Sequence, residues 1–309
     1  MWSCETAWGS GPSGRAEPGS DRGRPRPPGS SGTLRPAMSS ETAYESSSFK
    51  VAEIQHRYGA NVHLVDDPVA WSLLARACAR ETLQPEVGRL VRMLYEDLAR
   101  RVIAAEFPRE LMRVPTRMVG SHPQAVARFA GIAHRTPVVT VGIARAGTVP
   151  SQVIYELLNE IVEPALVRQD HLFMSREVNE AGEVTGARWH DAKIGREVGG
   201  RIILFPDPMG ATGSSMSSAV THYKTRLEGQ PSRIVALHLI VTPEYLRRLQ
   251  KDHPDVIVYA LRLDRGLSAP EILATVPGER WDDEVGLNDH QYIVPGAGGV
   301  GEILNNSWV

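Results

Sequence analysis

RIILFPDPMGATGSS, residues Arg201 to Ser215, runs from an almost wholly apolar segment through one acid into small, hydroxyl-rich residues. Arg201–Phe205 predicts a buried strand, and a helix is expected from about Ser215 to Leu227. Between them, Ala211 to Ser215 carries no bulky side chain. Backbone N–H groups there can close around a phosphate, with the helix N-terminus behind them. Thr212, Ser214 and Ser215 add hydroxyl donors, and Asp207 lies where a carboxylate can orient ribose hydroxyls or a hydrated magnesium ion. No lysine follows the glycines, which disfavours the loop of nucleoside-triphosphate hydrolases. Taken alone, the same residues also describe a glycine turn with a serine helix cap.

The pattern repeats outward from this stretch. Pro137 to Ile143 reads as a buried strand and Ser151 to Ile161 as a helix. Ile234–Val241, Pro243–Lys251 and Val256–Leu261 read as strand, helix and strand. Alternation of nearly all-apolar strands with helices indicates an α/β fold with a parallel sheet covered on both faces. Right-handed crossovers place the loops after the strands along one sheet edge, where ligands bind in such folds. Ahead of the sheet, apolar residues recur at helical spacing from Asp67 to Glu106 (Trp71, Leu74, Cys78, then Val87, Leu90, Val91, Leu94, Leu98, Val102). They predict an N-terminal helical region of two amphipathic helices broken around Gln84-Pro85.

Residues 1–48 differ from the rest, being rich in Gly, Pro, Ser and Arg and poor in large apolar side chains. Such a tail buries too little surface to offset its ordering entropy, and disorder is expected. Glu5, Glu17 and Asp21 interrupt its arginines, which argues against a targeting peptide or a nucleic-acid arm; Met38 is an alternative start. Residues 49–309 form the globular part. A formal net charge of -2 gives no electrostatic case for nucleic acid, and no apolar run approaches the roughly 20 residues of a bilayer span. Two separated cysteines, Cys4 and Cys78, fit a reducing cytoplasm, and the scattered histidines show no metal-ligand spacing. A soluble cytoplasmic protein is expected.

Three segments, in order, carry a resemblance. Asp207-Pro-Met-Gly-Ala-Thr-Gly-Ser-Ser215 resembles the DPMLATGGS signature of uracil phosphoribosyltransferases, with Gly210 in place of a leucine. Gly286 to Gly298 (GLNDHQYIVPGAG) resembles that family's GLNEHGYIVPGLG segment, and Val141 to Gly147 (VGIARAG) its GILRAG loop. A weaker match surrounds Met174-Ser-Arg176, Glu180 and Thr185, with Trp189-His190 where an aromatic pair usually stands. The resemblance covers Val62 to Asn305. It implies a type I phosphoribosyltransferase fold with a C-terminal uracil-binding hood. The implied activity is pyrimidine salvage, in which uracil and phosphoribosyl pyrophosphate (PRPP) give uridine monophosphate (UMP) and diphosphate, with magnesium assisting. PRPP would be held by Arg145, Arg176, Asp207, Pro208, Met209, Gly210, Ala211, Thr212, Gly213, Ser214, Ser215 and Gly299. Asp207 and Arg145 would be catalytic; no metal ligand is directly assigned. Uracil would be read by main-chain groups at Ile293, Gly298, Gly299 and Val300. Family members are commonly dimers or tetramers, and some respond to GTP, so a homo-oligomer and a GTP effector are expected.

The chain also departs from the pattern. The acid that follows Gly298 in the family, expected near ribose and metal, is here Gly299; Asp289 and Glu302 are the acids that could compensate. A segment of residues 268–285 is inserted before the hood motif. An exposed loop is expected there, with Asp282, Asp283 and Glu284 a solvated charge run. These departures keep open a rival, a catalytically silent PRPP-binding homologue with a sensing or interaction role.

Overall fold

Strands that alternate their side chains between two apolar layers must have both faces covered, and that requirement organises this chain. The computed structural model describes residues 42–178 and 184–307, apart from the side chains of residues 42, 175–178 and 184–188. The described residues belong to one unit, Ser40–Val309.

A one-turn helix α1 (Thr42–Glu45) falls inside the stretch assigned to the tail, most of which lies outside the described residues. Then follow β1 (Val62–Leu64), α2 (Pro68–Cys78) and α3 (Glu86–Glu106). Asp67 caps α2, its carboxylate accepting from the N–H groups of Val69 and Ala70 at 2.7 and 3.1 Å. The two helices are those expected, and Leu90, Val91, Leu94, Leu98 and Val102 are all buried along one side of α3. An antiparallel pair, β2 (Arg109–Pro115) and β3 (Val126–Ile132), makes a separate sheet that apolar periodicity did not announce.

The main sheet is built from β1, β4 (Val138–Ala144), β5 (Val167–Val178), β6 (Val184–Lys193), β7 (Ile202–Pro206), β8 (Met209–Gly210), β9 (Arg233–Val241) and β10 (Ile257–Leu263). Its order is β1-β10-β9-β7-β4-β5-β6, with β8 beside β9. Pairing is parallel except for the β5–β6 hairpin. Ile202 and Leu204 join the core of α2, α3 and α4 (Thr148–Ile161), while Ile203 and Phe205 join that of α5 (Ser214–Thr225) and α6 (Pro243–Asp252). The chain ends with two short helices, α7 (Pro270–Leu273) and α8 (Val300–Asn305). Among the described residues no helix is long and apolar enough to cross a membrane.

Within residues 268–285 one expectation is corrected, that Glu284 is solvated. Residues 268–285 wrap around Arg265, which donates to the carbonyls of Ile272, Leu273 and Thr275 at 3.2, 3.2 and 2.7 Å. Glu284 is only 1% exposed, not solvated. Its carboxylate accepts from Arg265 at 2.7 Å, from the Gly278 N–H at 2.8 Å and from the Tyr58 hydroxyl. Burial and the bond to Glu284 push the Tyr58 phenol well up, so it stays a neutral donor. The charge run misled because Asp282 and Asp283 are indeed exposed while their neighbour turns inward.

Candidate functional site

The C-terminal ends of β4 and β7 open onto a cavity of about 910 Å³, within the size range of small-molecule sites. Ahead of it, β7 delivers Asp207, whose N–H donates to the Leu237 carbonyl at 3.0 Å. The chain turns through β8 to Gly213, which takes φ +77° and leads into α5. A side chain is disfavoured at that angle, and Arg248 packs against the same spot. The first N–H groups of α5 have no intrahelical acceptor, and their open side is the cavity. Thr212, Gly213, Ser214 and Ser215 line it with Asp207, Met209 and Ala211. Ser214 Oγ is buried without a hydrogen-bond partner among the described residues, a hydroxyl suited to an anionic oxygen.

Pro208 and Gly210 are structural neighbours of the cavity, not walls of it. The Pro208 carbonyl accepts from the N–H groups of Leu239 and Ile240, both at 3.1 Å. At Gly210 an added Cβ would lie 2.9 Å from Val241 Cγ1 and 3.1 Å from the Tyr245 ring. Tyr245 and Val241 thus fill the space beside the residue at which the family motif has leucine.

Beneath the loop lies a buried polar chain. His238, 0% exposed, bonds through Nδ1 to the Asp207 carbonyl at 2.5 Å and through Nε2 to the Tyr245 hydroxyl at 2.6 Å. A carbonyl can only accept, so Nδ1 carries the proton, Nε2 accepts, and Tyr245 donates. Burial pushes the His238 pKa down to about 4, which keeps the ring neutral. Tyr95 and Tyr245 are pushed up, first by burial and then by the charge of Asp207. The main chain at Asp207 is therefore held by groups that stay uncharged near neutral pH.

On the facing wall, β4 ends at Ala144 and Arg145 projects from the short loop before α4. Gly147 lets that loop close: an added Cβ would lie 2.8 Å from the Ile143 carbonyl and 2.9 Å from the Pro206 carbonyl. Arg145 is exposed, and its Nη1 donates to the Ser307 carbonyl at 3.0 Å and Oγ at 2.9 Å. Arg176 sits on β5 opposite Ala187, and its side chain lies outside the described residues, as does Glu180 altogether. Phe173, Met174 and His190 of the β5–β6 hairpin reach the cavity.

The hood closes the third side. Ile293, Gly298, Gly299 and Val300 line the same cavity, with Tyr292 and Glu302; Asp289 is exposed and does not. Its shape is set through the backbone. Asp264, 2% exposed, accepts from Arg262 at 2.6 and 2.8 Å and from the Gly296 N–H at 2.7 Å. Arg262 in turn donates to the Gly296 carbonyl at 3.1 Å. Glu244 accepts from the N–H groups of Gly286 and Leu287 at 2.9 and 3.3 Å. Gly296 and Gly298 take φ +62° and +67°, turns that only a glycine makes without strain.

Tyr245, His238, Arg262, Asp264 and Glu244 were not singled out from sequence. His238 and Arg262 lie in strands, Glu244 and Tyr245 in α6 and Asp264 just beyond β10, and spacing along the sequence does not connect them to the site.

A sequence model of the family described as uracil phosphoribosyltransferase matches residues 65–279. A uracil phosphoribosyltransferase of Caldanaerobacter subterraneus is 28% identical over 244 residues, covering 79% of this chain and 97% of that protein. One of Variovorax paradoxus is 29% identical over 251 residues with the same coverage. Among solved structures, a protein of Aquifex aeolicus shares the fold with a TM-score of 0.57 and 21% identity, over 79% of this chain and 97% of that one.

Proposed function

The chain belongs to the uracil phosphoribosyltransferase family, and we propose that it converts uracil and PRPP into UMP and diphosphate. One observation carries the reading. The Asp207–Ser215 loop, Arg145 and the hood residues Ile293 and Gly298 to Val300, far apart in sequence, face a single cavity. The curated relatives bearing that name, aligned over 79% of the chain, support it.

The chemistry follows from what lines the cavity. The bond between the anomeric carbon and the diphosphate oxygen breaks, a bond from a uracil ring nitrogen forms, and that nitrogen loses its proton. Positive charge develops on the ribose and negative charge on the leaving group, so fixed complementary groups lower the barrier. Loop N–H groups and the hydroxyls of Thr212, Ser214 and Ser215 hold the ribose phosphate at the start of α5. Asp207 offers a carboxylate to the ribose. Arg145 offers the diphosphate a guanidinium fork, exchanging its bonds to Ser307 for charge-assisted ones. Main-chain groups of the hood meet the polar edge of uracil, and recognition by backbone tolerates side-chain drift.

Magnesium, which would travel with the diphosphate, supplies neutralisation of the leaving group. Among the described residues no three His, Cys, Asp or Glu side chains converge into a metal-holding group. Asp207 and Glu302 both face the cavity, which fits a cation held mainly by diphosphate oxygens and water, as magnesium commonly is. A cytoplasmic location, a homo-oligomer and responsiveness to GTP belong to the same reading; their support is the family resemblance.

Purified chain incubated with uracil, PRPP and Mg²⁺ should form UMP, measured chromatographically. Arg145→Ala should lower kcat/KM by about 100-fold or more, the loss of two charge-assisted bonds at roughly 1.5–3 kcal/mol each. If PRPP raises the melting temperature and no UMP forms, the catalytic reading fails and a silent PRPP-binding protein takes its place.

A further inference from the structure

Gly299 and Glu302 are joined by an unusual spatial relation. Gly299 precedes α8, and its carbonyl accepts from the Glu302 N–H at 2.9 Å and the Ile303 N–H at 3.0 Å, so Glu302 stands over Gly299 in the first turn. A Cβ built on Gly299 would coincide with Glu302 Oε2, well inside any non-bonded contact. The Glu302 carboxylate therefore occupies the position toward which a side chain at 299 would grow. It lines the cavity with Asp207 and Arg145, and it makes no ion pair or hydrogen bond among the described residues.

An uncommitted carboxylate on the wall of a diphosphate cavity needs a reason. Facing a multiply charged anion it is repulsive, unless a cation lies between the two. Arg145 supplies a single guanidinium fork, which cannot meet every oxygen of a diphosphate. A glutamate reaches farther than an aspartate, so a carboxylate anchored at 302 can arrive where a shorter acid anchored at 299 would.

We propose that Glu302, reaching over the glycine at 299, is the carboxylate that orients the hydrated divalent cation accompanying PRPP. This rests on the functional reading above and deepens it. A side chain at 299 would meet the Glu302 carboxylate, so the glycine leaves that carboxylate its place.

The test separates this from the reading it rests on. PRPP is titrated into the full chain by calorimetry, without uracil, across a series of Mg²⁺ concentrations. The parent, Glu302→Gln and the double variant Gly299→Asp with Glu302→Gln are compared, and ligand-free melting curves verify folding. Glu302→Gln should need on the order of tenfold more Mg²⁺ for half-maximal PRPP binding, the usual scale for losing a group that orients a metal's ligands. The double variant should return the Mg²⁺ midpoint to within about threefold of the parent, because a carboxylate again occupies that place. An unchanged midpoint in a folded Glu302→Gln protein overturns the proposal. So does equal weakening of PRPP at every Mg²⁺ concentration, which would put the carboxylate on ribose hydroxyls. A double variant that stays as impaired as the single one refutes the positional equivalence. A parent that binds no PRPP at any Mg²⁺ concentration removes the functional reading itself.

Discussion

Replacing Asp264 by asparagine isolates the hood from the phosphate loop. The carboxylate spends one oxygen on Arg262 Nε at 2.6 Å and the other on both Arg262 Nη2 at 2.8 Å and the Gly296 N–H at 2.7 Å. An asparagine keeps the shape but has one acceptor oxygen; whichever way it turns, its NH₂ meets a donor. With the amide oxygen toward Gly296, the Arg262 Nε–H is orphaned in a partly buried place and the guanidinium loses its counter-charge. Arg262 also donates to the Gly296 carbonyl at 3.1 Å, so its displacement loosens the hood from both sides. A hydrogen bond to a charged partner contributes about 1.5–3 kcal/mol. If that strain appears as lost uracil binding, the uracil KM rises about 10- to 100-fold. The phosphate loop is anchored through β7, β9 and His238, not through Asp264, so the KM for PRPP should stay within about threefold. Steady-state kinetics with each substrate varied against saturating amounts of the other gives both constants. A folded Asp264→Asn protein with wild-type uracil KM, or one whose two KM values rise together, would show that the Arg262–Asp264 pair does not hold the hood.

Two further perturbations test the scaffold. Glu284→Ala removes the acceptor shared by Arg265, Gly278 and Tyr58 and leaves Arg265 buried without its partner. The expected cost is about 3–5 kcal/mol, seen as a melting temperature lower by roughly 10 °C. A shift under about 2 °C would mean that residues 268–285 are not part of the cooperative fold. His238 provides a pH test. Its folded pKa of about 4 lies below the unfolded value of 6.5, so between those values the unfolded chain binds the extra proton and stability falls as pH falls. From pH 7.5 to 5 this contributes a loss of about 2 kcal/mol, at about 1.4 kcal/mol per pKa unit. Urea denaturation of the parent and His238→Asn at both pH values should show that increment in the parent alone; equal pH dependence would place the ring in a protonated state.

The parallel sheet and its helices were legible because β7, β9 and β10 are apolar runs that cannot be placed elsewhere than in a covered sheet. The apolar stripe from Val87 to Val102 was equally plain, its buried face fixing α3 against the strands. The features without a local signature share a cause. The β2–β3 hairpin is half-exposed along its length, so no clean alternation marks it. Glu284 follows two exposed aspartates, and only the fold brings Tyr58 and Arg265 to it. Within the site, the residues that present chemistry sat in glycine-rich loops with recognisable order. Those that hold the loops, such as His238 and Asp264, act on main-chain atoms across the fold, and sequence spacing carries no trace of such contacts.

That division bears on how far a phosphoribosyltransferase site can drift. At Gly210 the chain has lost a large side chain from its phosphate loop, and Tyr245 with Val241 occupies the space while Tyr245 also donates to His238 under Asp207. At Gly299 it has lost an acid, and the Glu302 carboxylate stands over the vacated position. Both substitutions remove a side chain from a loop. Both also place a residue from a neighbouring turn or helix in the space. A binding site whose contacts are main-chain N–H groups and carbonyls needs its loops to keep their path, not their side chains. The clamps on Gly286, Gly296 and Asp207 enforce that path from outside the motifs. Drift inside the loops is therefore tolerated where the clamps hold.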